Sequence, residues 1–375
     1  MSGKGKNSYD IAVIFGGVSS ENEVSVITGT MVCNVLKKGG RSVLPVYIDH
    51  GGAIRAGEEL ADVSIYKEEG YKNFPACGFA EGGLLIARKR KGKVIKGVLA
   101  VEVGCVINCC HGGAGEGGGI AGLCEILNLP LASAGLFESA AFMDKYYTKL
   151  VLQSLGVKVA KYAYSRDITG VIASAKALGY PLIVKPATLG SSIGISKCDG
   201  EEELKEALAT AFELDGGVLL EEYLSPRREI NCAVYCSNGA PIISQCEEAS
   251  SDGDVLSYDD KYCGGGRRAF PADLDREISD SIINQTKRVY SALNMRGIVR
   301  FDYIICGGQL YLSEINTVPG SLSQYLLSAS FKDFYSVLCD AVAQAKADFS
   351  AKKGRRIIST GILNGLTSAN GGVKK

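Results

Sequence analysis

VRFDYIICGGQLYLSEINTVPG, residues Val299 to Gly320, says more about fold and chemistry than any other stretch of the 375-residue chain. Two apolar-rich runs flank the pair Gly307-Gly308, which is suited to closing a hairpin. Side chains alternate between the faces of a strand, so Arg300 and Asp302 share one face, and Glu314 and Asn316 share one face of the partner strand. Two carboxylates and an amide are hard oxygen ligands, the kind that hold Mg²⁺ against nucleotide phosphates. Register decides whether they meet. An unbroken ladder closed by a two-residue turn would set Asp302 opposite Ser313 and turn Glu314 away. A three-residue loop or a bulge would set Asp302 opposite Glu314. The second arrangement is predicted. The plainer alternative is an acidic solvent face, but an Asn and an Arg accompany the acids in otherwise apolar strands.

At about 100 to 200 residues per domain, the length implies two or three domains. Hydrophobic residues make up 46% and charged residues 22%, and 41 basic residues balance 41 acidic ones. A net charge of zero favours neither nucleic acid nor an anionic membrane surface, so small molecules are the expected partners. The opening MSGKGKNSYD has no apolar signal region, and no stretch approaches the ~18 apolar residues of a membrane span. A cytosolic protein is expected. Thirteen cysteines raise the question of a disulfide or zinc framework. There is no C-x-x-C, only pairs such as Cys105 with Cys109 and Cys232 with Cys236, and the two histidines are His50 and His111. Small buried hydrophobes in a reducing compartment are the expected role.

Reading along the chain, DIAVIFGG (Asp10 to Gly17) is a strand stopped by glycines. The helical ENEVSVITGTMVCNVLKKGG and the strand SVLPVYID follow. This β-α-β order predicts an α/β fold with a parallel sheet. Residues 66–97, with the basic run ARKRKGK near their end, read as a solvated hairpin or excursion. Pro130 and Gly135 mark one boundary, and GGVLLEEYLSP, Gly216 to Pro226, ends at a second. Between them lie the helical ESAAFMDKYYTKLVLQSLG, the strand PLIVKP and the helix EEELKEALATAFEL. Beyond them come β-rich segments, the helix REISDSIINQTKRVYSAL and a last helix from Phe331 to about Lys352. That helix places Phe331, Phe334, Leu338, Val342, Ala345 and Phe349 near one face. The expected divisions are 1–135, 136–225 and 226–352, with a tail at 353–375.

Further constellations carry chemistry. The turn GGVSSENEVS, Gly16 to Ser25, closes the first strand, and ligands of α/β sheets bind beyond such strand ends. Its acids Glu21 and Glu23 have two readings, complementing a helix dipole or holding a substrate ammonium. Lys145 lies in FMDKYYTK. Lys185 closes a strand before a loop, Leu189 to Gly194, whose small residues could cover phosphate oxygens with backbone N–H groups. No Walker G-x-x-x-x-G-K-[ST] is present. LLEEYLSPRREI offers Glu221, Glu222 and Glu229 at a strand end, where carboxylates and exposed backbone could hold an adenosine. YDDKYCGGG pairs Lys261 and Tyr262 with a glycine run suited to a lid that excludes water. In HGGAGEGGGIAG, from His111, the residues Gly113, Gly115 and Gly118 spell the dinucleotide fingerprint G-x-G-x-x-G. An NAD(P) oxidoreductase would also need an acid closing the next strand about 20 residues on. Glu138 is near in number but falls in a helix start.

Taken in order, GG-x-S-x-E-x-EVS, HG…GE, MDK, VKP…GSS-x-G-x-SK, E-x-Y-L, KY and R-x-D…E-x-N-T-x-PG resemble the D-alanine–D-alanine ligase family of the ATP-grasp superfamily, over about residues 9 to 350. The resemblance implies an N-terminal α/β substrate domain, a central subdomain and a C-terminal catalytic domain, with ATP between the last two. The implied reaction is ATP-dependent ligation of two D-alanines through a D-alanyl phosphate, for peptidoglycan synthesis, with two Mg²⁺ or Mn²⁺. Glu21 would hold the first D-alanine's ammonium in a network with Ser191 and Tyr262, and His111 would lie near its carboxylate. Lys145, Lys185 and Lys261 would contact ATP phosphates. Glu221, Tyr223, Leu224 and Glu229 would contact adenine and ribose. Arg300 would stabilise the tetrahedral intermediate, Asp302, Glu314 and Asn316 would bind the metals, and Ser321 would open the acceptor segment. The family suggests a homodimer.

The chain also departs from the family's pattern. Asn22 replaces an arginine, Gly117 the aspartate of GEDG, and Leu189 the acid before GSS. The segment that receives the second substrate's carboxylate reads SLSQYLL, Ser321 to Leu327. D-serine, D-lactate or another amine or hydroxyl acceptor, including other amino acids, therefore stands as the alternative. A nucleotide-binding protein without catalysis is disfavoured because Arg300 and all three metal residues are present.

Overall fold

The six residues of strand Ile11–Gly16 are all buried, as a continuous apolar run requires when it is flanked on both edges and both faces. It pairs in parallel with Val43–Ile48 on one side and Val106–Asn108 on the other, and Ile54–Ala56 adds an antiparallel edge. The computed structural model describes residues 7–90, 93–250, 267–354 and 360–361. Gly16 leaves the first strand at φ +87°, and a Cβ there would stand 2.1 Å from the Ile48 carbonyl oxygen. Only glycine permits that turn, which delivers Glu21 to the start of helix Asn22–Lys38. The basic excursion builds its own sheet. Gly83–Arg90 and Lys93–Val103 form an antiparallel hairpin, flanked by Cys77–Ala80 and Ser8–Tyr9.

The helical pattern after residue 135 divides in two. Asp144 ends helix Leu136–Met143 in an extended conformation and caps helix Lys145–Ser154, accepting from the Tyr146 and Tyr147 amides. Both helices pack with the C-terminal sheet, since Phe142, Leu152 and Val157 share a core with Ile230, Val299 and Phe301. A separate antiparallel sheet runs Ser196–Cys198, Leu182–Pro186, Val218–Glu222, Tyr162–Ser165. Helices Ile168–Leu178 and Glu201–Leu214 cover it through Val171, Leu204 and Leu208. Ile183 opposes Glu221 in this sheet, so Lys185, two residues on, emerges from the same face as Glu221.

The C-terminal sheet is antiparallel, in the order Arg267–Ala269, Glu247–Ser250, Arg227–Ser237, Val299–Cys306, Gln309–Asn316, with Ala240–Ile243 as a side strand. Its hairpin closes through a two-residue turn, because Cys306 opposes Gln309 and the glycines between them have φ of 55° and 70°. Even so, Asp302 opposes Glu314. The register shifts between Asp302 and Tyr303, where Tyr303 opposes Leu312 and Ser313 is left over as a bulge. The predicted pairing is present, produced by the bulge and not by a longer loop. Burial alternates strictly along Val299–Cys306, with Arg300 and Asp302 on the open face.

Helix Phe331–Lys353 closes the fold against the N-terminal unit. Phe334, Leu338 and Val342 share a core with Ile11, Phe15 and Val32, and Val318 and Leu322 belong to it. Phe331 departs from its expected place on that face and is 58% exposed, as a first-turn residue past the edge of the core. The described cysteines are free and mostly buried in these cores. Among the described residues no helix is long and apolar enough to cross a membrane.

Candidate functional site

Strand ends and loops from all three regions converge on a cavity of about 360 Å³. Glu21, His111, Lys145, Lys185, Ser191, Glu221, Leu224, Glu229, Arg300, Asp302, Glu314, Asn316 and Ser321 all line it. The side chain of Tyr223 does not. It follows the last residue of its strand, and its ring centroid lies 5.0 Å from the Lys197 ammonium and 5.2 Å from the Arg227 guanidinium. Lys261 and Tyr262 fall outside the described residues.

One end of the cavity is built around Glu21. Its side chain does not cap its own helix but reaches Ser191, whose hydroxyl donates to Glu21 Oε1. Two glycines make room for it: a Cβ on Gly112 would come within 2.5 Å of Glu21 Oε2, and one on Gly190 within 2.7 Å. The His111 ring is buried, with Nε2 2.9 Å from Thr28 Oγ1. Burial first, and then the nearby Arg300 charge, push its pKa down to about 4, so the ring is neutral near pH 7. Thr28 Oγ1 also accepts the Ser321 amide at 3.1 Å. Ser321, Leu322 and Ser323 follow one another at φ of 49°, 46° and 52°. Left-handed backbone without glycine costs roughly 1 kcal/mol or more per residue, and here the buried Leu322 and the Thr28 bond hold it in place.

The other end is strongly ionic. Lys185 Nζ lies 2.7 Å from Glu221 Oε2, and Lys149 Nζ lies 2.6 Å from Oε1. Burial alone would raise the Glu221 pKa, but the two lysines override it and hold the carboxyl at about 2. Lys145 donates to the Leu189 carbonyl. On the adjacent wall Arg300 forks Asp302 with two bonds, Nε to Oδ1 at 2.7 Å and Nη2 to Oδ2 at 2.8 Å. Asn316 Nδ2 donates to the same Oδ2 at 2.9 Å, which leaves its amide oxygen as a hard donor. No three His, Cys, Asp or Glu side chains converge as a metal cage among the described residues. Two carboxylates and an amide would need phosphate oxygens to complete the coordination of a small divalent ion.

Comparisons with known proteins agree with this geometry. The family profile described as the D-ala D-ala ligase N-terminus matches residues 10–134, and that for the C-terminus matches residues 151–334. A D-alanine–D-alanine ligase of Thermosipho africanus is 31% identical over 92% of this chain and 95% of its own length. The chain belongs to the D-alanine–D-alanine ligase family. Solved structures carry the same ATP-grasp fold. The D-alanine–D-alanine ligase of Helicobacter pylori is 28% identical, with a TM-score of 0.74 over 90% of this chain and 98% of that one. The VanG D-Ala:D-Ser ligase of Enterococcus faecalis is 26% identical, with a TM-score of 0.75 over 89% and 99%.

Two of the departures from the ligase family's pattern, Asn22 and Leu189, have local explanations. Asn22 is buried and ties the loop together, donating to the carbonyls of Gly17 at 2.6 Å and Ile48 at 3.2 Å and accepting from the Tyr47 hydroxyl at 3.0 Å. Leu189 contributes its carbonyl, the acceptor for Lys145. Nothing in the structure requires glycine at 117, where a Cβ would meet Met143 at an ordinary 3.4 Å. In the same loop the acid of the HG…GE motif, to which the sequence reading gave no role, is prominent. Glu116 Oε2 accepts the Gly112 amide at 2.7 Å, and its other oxygen takes the Val318 amide at 3.4 Å. A carboxylate of the chain's own therefore takes an amide that a dinucleotide's pyrophosphate would need, which argues against the G-x-G-x-x-G reading of this loop in a ligase. The signal was an acid alone among glycines.

Burial pushes the Glu116 carboxyl up to about 7, and Glu21 adds to the rise. A folded pKa above the unfolded value favours folding while the group is protonated. That contribution is complete below about 4.5 and is lost as pH rises through about 7. The Glu116→Gln variant is expected to flatten the fall in Tm between about pH 5 and pH 8. A slope equal to the parent's would contradict the assignment.

Proposed function

We propose that this chain phosphorylates the carboxylate of one D-alanine with ATP and joins it to the amine of a second, in the cytosol, to supply peptidoglycan precursors. A carboxylate is a poor electrophile. Transfer of the γ-phosphoryl to its oxygen releases ADP and creates a leaving group. The second amine then attacks the acyl carbon, phosphate departs and the amine gives up a proton. Such chemistry asks the protein mainly for positioning and charge neutralisation. The observation that carries the reading is the bulge-set pairing of Asp302 with Glu314, which puts both carboxylates, Asn316 and Arg300 on the cavity that also holds Glu21 and Ser191.

In this reading Glu21, fixed by Ser191, takes the first ammonium, with Tyr262 completing the network. His111 neighbours the first carboxylate. Lys145, Lys185 and Lys261 hold phosphates, and Glu221, Leu224, Glu229 and the Tyr223 backbone hold adenosine. Arg300 faces the tetrahedral oxygen. Asp302, Glu314 and Asn316 suit two Mg²⁺ or Mn²⁺ ions, and the guanidinium forked onto Asp302 marks a place where positive charge belongs. Bound there, the ions would offset the charge of the transferring phosphoryl group. We also propose a homodimer, and a division of the chain near residues 135 and 225.

A second reading, with D-serine as acceptor, draws on the similarity to the VanG enzyme and on the left-handed Ser321–Ser323 turn. Mass spectrometry of the product formed from equimolar D-alanine, D-serine and D-lactate separates the two. D-alanyl-D-alanine as the main product is expected, and a mixed product would establish the other acceptor.

A further inference from the structure

Lys149 has no part in the roles assigned so far. It follows Lys145 by one turn on helix Lys145–Ser154, so both side chains leave the same face, yet only Lys145 lines the cavity. The Lys149 side chain is 1% exposed and stands behind Glu221, 2.6 Å from Oε1, with the Tyr162 ring 5.9 Å from its ammonium. Lys185 holds the other oxygen at 2.7 Å. One lysine is enough to neutralise one buried carboxylate, and burying a second ammonium is costly. A pair of lysines does what one cannot: each oxygen is gripped, so the carboxylate plane is fixed.

We propose that Lys149 is a positioning residue for nucleotide selection, clamping Glu221 as a fixed, ionised acceptor so that the site takes a 6-amino purine and rejects a 6-oxo purine. This rests on the reading that Glu221 meets the base of ATP. An ionised carboxylate can only accept hydrogen bonds. The exocyclic amine of adenine donates to it, whereas the oxygen at the same position of hypoxanthine or guanine would face it as a second acceptor. Sites that leave such a group unpaired discriminate strongly. A neutral carboxyl would donate to that oxygen and erase the distinction. Burial pushes Glu221 toward the neutral form, and Lys149 is the first charge that opposes it. Loss of Lys149 would leave Lys185 alone among Glu221, Glu229 and Glu314, whose charges all act on it.

The test compares ATP with inosine triphosphate, which carries an oxygen in place of the 6-amino group and with it a hydrogen on N1, in D-alanine-dependent phosphate release by the parent, Lys149→Met and Lys149→Arg. Lys149→Met leaves Glu221 paired with Lys185 and keeps the helix face apolar. It is expected to lower the ratio of kcat/KM for ATP over inosine triphosphate by about tenfold or more, mainly by raising KM for ATP. Lys149→Arg is expected to keep most of the parent's preference. A folded Lys149→Met protein with the parent's ratio would overturn the proposal. If that variant fails to fold, Glu221→Gln decides: its amide can donate to the 6-oxo group, so its ratio must fall, and an unchanged ratio overturns the proposal equally. A parent inert with both nucleotides would reject the ligase reading and this inference with it, whereas an active parent with unaltered variant ratios rejects this inference alone.

Discussion

Glu314→Gln is expected to lower kcat by about 10³-fold at saturating D-alanine and ATP, because it removes one of the two negative charges available to hold divalent cations. The substitution is nearly isosteric. Glu314 sits on a strand whose backbone ladder to Val299–Cys306 does not depend on its side chain, so the fold should persist. The carboxylate also acts on Lys185, so the loss would reach the phosphate end of the cavity as well. Steady-state rates across a Mg²⁺ titration check this. The variant should need far more Mg²⁺ and still not regain the parent rate. An unchanged rate and Mg²⁺ dependence would show that the metal site had been misplaced.

Arg300→Lys is the second large effect expected. Lysine keeps the charge but cannot form the two parallel bonds, 2.7 and 2.8 Å, that Arg300 makes to Asp302. If Asp302 holds a divalent cation as proposed, the same planar donor array would be free for an oxygen that gains charge in the transition state. Removing one such donor typically costs about 10² to 10³ in kcat. The change should therefore fall on kcat, with KM for ATP nearly unaltered. A variant whose defect lay only in KM would assign Arg300 to ground-state binding.

Much of the site was legible because it lies where backbone periodicity is strict. Alternation fixed the faces of Arg300, Asp302, Glu314 and Asn316, and the requirement that the acids meet called for an irregularity, which the structure supplies at Ser313. Gly16 and Gly17 were visible as a turn, but the packing of Gly112 and Gly190 against Glu21 was not, since both lie far along the chain from it. The direction of the Tyr223 side chain was not legible for a similar reason: the strand ends at Glu222, and the pleat no longer governs the next side chain. Lys149 escaped notice because a lysine on a helix ordinarily reads as solvated. Its spacing from Thr148 and Leu152, both buried, was the available clue. The packing of residues 136–157 with the C-terminal sheet had no local signal, because it arises from matching apolar surfaces across about 150 residues of sequence.

The most direct measurement of the central claim is phosphate release from ATP by the purified chain with Mg²⁺ and each amino acid in turn. Release that requires both Mg²⁺ and D-alanine, is absent with L-alanine, and accompanies formation of D-alanyl-D-alanine is the predicted result. No release with any D-amino acid, alone or in pairs, would contradict the account.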